Sequence, residues 1–170
     1  MTHPAATRFV EHIAARCDDL GVRADLRTGV AVPYDRATRM HAHLARWTSS
    51  DRPHEAAVRY AIAALIAYKP DGAIPNESPG DLGASLASAT HLVPNAREQL
   101  LHMVCSQPPT RMPVTIGRVV TQIRDGKTPI DFARLCDDLN SWPWRRRDIT
   151  RRWMQSYYRH NIHTPPQHPH

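Results

Sequence analysis

Residues 141–159 read SWPWRRRDITRRWMQSYYR, and the rest of the chain is best understood outward from them. Pro143 holds φ near the helical value and has no N–H to leave unsatisfied, so it suits the first turn of a helix. A helix from about 145 to 159 puts Ile149, Trp153 and Tyr157 on one face, with Met154 at its border. Arg145, Arg152 and Arg159 then run along one flank and Arg147 and Arg151 along the other. The predicted element is an apolar aromatic anchor with arginines on both sides. Its Trp and Tyr side chains are read as core first and as base-stacking platforms second.

The charge is concentrated here. The chain carries 22 Lys+Arg against 16 Asp+Glu, a formal +6. Residues 141–159 hold six arginines and one acid, Asp148, which leaves a near-neutral remainder. A helix that is merely solvated would lace its arginines with Glu or Asp at i,i+4. With so few acids nearby, the spacing predicts an anion-facing helix, and nucleic-acid phosphate is the anion it suits. Asp137 and Asp138, on the preceding segment, are placed to reach part of the row containing Arg145, Arg152 and Arg159. That leaves Arg147 and Arg151 pointing outward.

Elsewhere the apolar residues also recur at helical spacing. Residues 7–20 carry Phe9, Val10, Ile13, Cys17 and Leu20 in step, with Gly21 as the expected C-cap. A short turn covers 22–29, and Pro33 opens a helix over about 35–47 on Ala37, Met40, Leu44 and Trp47. Residues 54–68, including AAVRYAIAALIAY, are apolar on nearly all sides and so central. Asp81 is the expected cap of a helix over 82–89, followed by helices over 95–106 and 114–124. A further helix starts at Thr128 or Asp131 and ends near Asn140. No alternation of period two persists. The fold expected is all-α, with about eight helices in an N-terminal helical lobe (1–75) and a C-terminal helical bundle (76–160). The Pro/Gly/Ser-rich residues 70–80 form the seam, and 161–170 a flexible tail.

Composition excludes several function classes. No apolar run approaches the ~20 residues that span a membrane, and the opening MTHPAATRFVEH lacks the layout of a signal peptide. Cys17, Cys105 and Cys136 form no CxxC and read as reduced, buried thiols in a cytoplasmic protein. There is no GxxxxGK[ST], GxGxxG, HExxH or paired-carboxylate signature, so neither an enzyme nor a cofactor is expected. His160, His163, His168 and His170 lack Cys or carboxylate partners, so no metal site is expected either. A rival reading is a helix-turn-helix transcription regulator built from 116–124, the turn at Gly126 and IDFARLCDDL. That recognition helix would be acidic, poor material for a major groove.

Taken in order, several segments resemble the CasB family, the small subunit of the type I-E CRISPR Cascade complex. They are RADLRTG (23–29), HAHLARW (41–47), YAIAALIAY (60–68), DLGASLA (81–87), VTIGRVVTQIRDGKTPIDFARLCDDLNSW (114–142) and RRRDITRRWMQSYYR (145–159). The IDFARLxxDLxxW segment followed by a basic W–x3–YYR segment is the most specific. The chain departs from the family at the Pro-rich QPPTRMP loop and at Thr28, where a second basic residue would be expected. The resemblance implies a two-lobed, non-catalytic all-α subunit that contacts guide RNA and stabilises target DNA once the R-loop opens. It implies other Cascade subunits and a second copy of itself as partners. The candidate nucleic-acid contacts are Arg23, Arg27, Arg46, Arg145, Arg146, Arg147, Arg151 and Arg152.

Overall fold

The computed structural model describes residues 3–73 and 80–163. Among these there are eight α-helices and no strands. They are α1 (Pro4–Arg16), α2 (Leu20–Arg27), α3 (His41–Leu44), α4 (Pro53–Tyr68), α5 (Leu82–Ser88), α6 (Pro94–Cys105), α7 (Met112–Asp125) and α8 (Phe132–His163). No helix is long and apolar enough to cross a membrane.

Local chemistry sets the starts. Proline occupies the first turn of α1, α4, α6 and α7, where its missing N–H goes unneeded. Asp81 accepts from the N–H of Ala84 at 3.1 Å and so caps α5, as its sequence position predicts. Asp19 does the same for α2, accepting from Gly21 and Val22. That cap overrides the expectation at Gly21: α1 ends at Arg16, Gly21 lies inside α2, and Leu20 is exposed.

The helix expected over 35–47 is also corrected. Three 3-10 turns (Tyr34–Arg36, Thr38–Met40 and Ala45–Trp47) surround the single turn of α3. Ala37 leaves the helical region at ψ 57°, yet Ala37, Met40 and Leu44 are all buried. The periodic residues reach the core through short tight turns rather than through one continuous helix.

α4 is the central element. Residues 62–67 are buried without a break, and the helix packs against α1, α2, α7 and α8. One apolar core runs from Ala6 and Phe9 in α1 to Trp153 and Tyr157 in α8.

α8 turns back on itself. Arg145 has φ −119° and ψ 16°, outside the helical region, two residues after Pro143. Proline inside a helix, with no N–H to donate to the preceding turn, is an ordinary cause of such a break. Residues 142 and 153 would lie about 16 Å apart along a straight helix. Instead the rings of Trp142 and Trp153 stack with centroids 5.3 Å apart. The two expected helices are therefore two arms, 132–144 and 146–163, folded against each other at an elbow. The second arm reaches His163, so residues 161–163 are helical rather than part of a tail. Residues 164–170 and the 74–79 part of the expected seam lie outside the described residues.

Candidate nucleic-acid interface

The second arm of α8 is anchored as its spacing predicts. Ile149, Trp153 and Tyr157 are buried, and Met154 is half-buried against them. The Trp153 indole N–H donates to Asp138 Oδ2 at 2.8 Å, and the Trp142 N–H donates to the Gln107 carbonyl at 2.9 Å. Asp138, nearly buried on the first arm, also binds the Arg152 guanidinium. Burial pushes the Asp138 carboxyl up from its ordinary range, while Arg152 and the Trp153 N–H pull the other way. From the other side Ser156 donates to the Asp81 carboxylate at 2.7 Å, tying α8 to the cap of α5.

With one face so fixed, the opposite face is forced outward. Arg146, Arg147, Arg151 and Arg159 are exposed and flank a groove of ≈ 950 Å³ between α6 and α8. Cys105, Thr150 and Met154 lie deeper in it, and Tyr158 and Ile162 line its far end. Arg146 donates to the Ser106 carbonyl at 3.0 Å, which places its guanidinium at the rim. The acid nearest these arginines in sequence, Asp148, comes to 4.0 Å from Arg151, with both side chains mostly exposed. A contact of that kind neutralises little. The groove thus offers several arginine forks around a partly apolar floor, an arrangement suited to a polyanion bearing flat apolar groups. Burial pushes the Cys105 thiol up to about 11, so it lies in the groove as a neutral group. Tyr158 donates to Glu98 at 2.6 Å, which raises its hydroxyl to about 12.

The remaining candidates are dispersed. Arg145 lines a second groove with Arg52 and Arg59, in which Glu55 and Asp137 offset the charge. Arg152 faces Asp138 and so serves the fold. Arg23 is half-buried, its Nε donating to the Ala67 carbonyl at 3.1 Å. Arg27 is exposed, with its guanidinium 5.5 Å from the Tyr68 ring centre. Arg46 is exposed near His12, whose pKa is lowered by burial first and then by Arg16 and Arg46.

Sequence reasoning missed the companions of Arg23. Its groove is also lined by Lys69, Arg124 and Lys127, from two other parts of the chain, the ends of α4 and α7. Arg124 is almost wholly buried and donates to the carbonyls of Lys69, Asp71 and Thr128, holding the end of α4 to the end of α7. Only the scarcity of lysine, confined to positions 69 and 127, could have flagged that site. Sequence reasoning also erred on Trp144, which is exposed instead of core.

The helix-turn-helix alternative loses its recognition element. Every residue from 131 to 140 is buried or half-buried, so this arm presents no open face to a groove of DNA.

Comparison with known proteins converges on one family. Among curated proteins none matches the sequence. A chain of a solved CRISPR RNA-guided surveillance complex is 29% identical, with TM-score 0.78, covering 92% of this chain and 92% of that one. A crystal structure of a CRISPR-associated protein of the Cse2 family from Thermus thermophilus shares the fold at 22% identity, with TM-score 0.75, covering 93% of this chain and 99% of that one. A crystal structure of CasB, also from Thermus thermophilus, does so at 24% identity, with TM-score 0.74 and the same coverage. The profile described as CRISPR-associated protein Cse2 matches residues 22–158, from α2 through the second arm of α8. With most of its length matched in sequence and nearly all of it in fold, the chain belongs to the CRISPR-associated Cse2 family.

Proposed function

We propose that this chain is the non-catalytic small subunit of a type I-E CRISPR surveillance complex, Cascade. There it holds guide RNA and target DNA by their backbones and stabilises the opened R-loop in antiviral defence. The observation that carries this reading is the exposed, almost unopposed arginine wall of α8, in a chain of the Cse2 family. Arginine forks bind phosphate without reading bases, which suits a complex in which guide pairing reads the sequence. Other Cascade subunits, and a second copy of this chain, are its partners in that assembly.

The test reverses charge at the two arginines that face furthest from the core. Arg147→Glu with Arg151→Glu should leave the melting temperature nearly unchanged, since both side chains are exposed. In a reconstituted complex at fixed salt, the opened target should dissociate faster from the double variant, while assembly on guide RNA survives. Equal dissociation rates remove this wall from the path of the nucleic acid and overturn the reading.

A further inference from the structure

The elbow of α8 treats its two tryptophans oppositely. Trp142 is fully buried, stacked on Trp153 and hydrogen-bonded to Gln107. Trp144, two residues on, is 73% exposed, the most exposed aromatic side chain among the described residues. Within those residues its indole has neither a hydrogen-bond nor a ring partner. A single exposed apolar side chain is ordinary on a protein surface. The surroundings of this one are not ordinary.

Arg145, Arg146 and Arg147 follow it directly, all exposed. Arg145 lines one groove, and Arg146 and Arg147 line the other. The backbone leaves helical geometry at Arg145, the residue directly after the ring, so the chain turns between Trp144 and the two arginines that line the α8 groove. An exposed aromatic ring followed directly by three exposed arginines matches a polyanion that also presents flat rings. In a duplex those rings are already stacked on their neighbours and turned away from the backbone. In a single strand they can be offered to an indole.

We propose that Trp144 is a stacking platform for one unpaired base of a single-stranded nucleic acid whose backbone the neighbouring arginines hold. The inference rests on the nucleic-acid reading above and adds to it a preference for unpaired strands. Stacking of this kind tolerates any base, since each has a π-face, so it leaves sequence selection to pairing.

The test uses the full chain with oligothymidylate and oligouridylate, and a blunt hairpin duplex for comparison. Trp144→Ala should bind both single strands about tenfold more weakly, within the range of one lost base stack. Its melting temperature and its binding to the duplex should barely change. Trp144→Phe keeps a ring and should recover most of the affinity. Oligothymidylate should quench the emission of the wild-type protein, and Trp144→Phe should remove most of that quench while still binding. A structural role alone would not produce this pattern.

Single-strand binding by Trp144→Ala equal to wild type, or an equal loss on single strand and duplex, overturns the proposal. So does an alanine variant that binds the oligonucleotides normally but assembles poorly with the other subunits, which would make Trp144 a protein contact. The two readings separate cleanly. Failure of the wild-type chain to bind any nucleic acid overturns both. Normal binding by Trp144→Ala, with binding lost on reversal of Arg147 and Arg151, overturns only the stacking.

Discussion

At the residue scale, the second arm of α8 depends on Trp153. Its ring is fully buried against Trp142, and its N–H is held by Asp138, which also binds Arg152. Trp153→Ala therefore removes a large buried ring and strands a buried carboxylate with only the half-exposed Arg152 left to it. Large-to-small changes of this type typically cost about 3–5 kcal/mol. A urea titration of the variant should show a midpoint far below that of wild type. Little change in midpoint together with lost oligonucleotide binding would instead make Trp153, despite its burial, a nucleic-acid contact. The same residue shows what spacing can reveal. The i,i+4 run Ile149, Trp153, Tyr157 is one helical face, and it is the buried one. Outward placement of Arg147 and Arg151 follows from that face alone. Trp144 belongs to the first arm, two residues and about 200° past buried Trp142, so the spacing of the second arm says nothing about where it points.

At the scale of elements, α5 and α8 meet backbone to backbone. A Cβ built on Gly83 would sit 1.9 Å from the backbone carbonyl oxygen of Trp153, far inside van der Waals contact. Only glycine lets the two backbones meet, and Ser156 bonding to Asp81 closes the same contact a turn further on. Gly83→Ala must push α5 off α8, and overpacking of this kind typically costs about 1–3 kcal/mol or more. The checking measurement is thermal melting, with Gly80→Ala as a nearby comparison, since the Cβ there would meet only ordinary contacts but a strained φ of 128°. A Gly83→Ala protein that melts like wild type would show that the α5–α8 contact is loose. Apolar patterning made α4, α6 and α7 legible to within a residue or two, because α6 and α7 each bury one regular face and α4 is buried nearly all round. It failed over 34–47, where burying Ala37, Met40 and Leu44 needs tight turns that share the same apolar spacing. At 132–163, proline marked the break, but nothing local announced that the arms fold together. The stack of Trp142 on Trp153 is a contact between arms, and no residue spacing encodes it. The groove of Arg23, Lys69, Arg124 and Lys127 was illegible for a related reason: it exists only once α2, α4 and α7 have met.

At the scale of the whole molecule, the net charge of +6 is concentrated in the second arm of α8 and the groove beside it. Acids temper the other two grooves, Glu55 and Asp137 in one and Asp18 and Asp71 in the other. Of these three grooves, the one at α8 has basic side chains with the least counter-charge, so it should dominate binding by the isolated chain. Each phosphate neutralised on a single strand contributes about −0.7 to the slope of log K against log salt. Contacts from Arg146, Arg147, Arg151 and Arg159 together therefore predict a slope of about −3 for single strands. Reversing Arg147 and Arg151 should flatten that slope by at least about 1.4, because two contacts are lost and repulsion is added. Affinity should be equal for oligonucleotides of different sequence, as backbone contacts carry no base information. Trp144→Ala should lower affinity at every salt concentration while leaving the slope as it was, because stacking releases no counterions. Fluorescence anisotropy across a salt series measures all of these on one set of samples. A slope that the double reversal leaves untouched would move the phosphate path away from α8 and onto the Arg23, Lys69 and Lys127 groove. A strong preference for one short duplex sequence would mean that base edges are read, and a protein that reads base edges is not the backbone clamp the α8 wall implies.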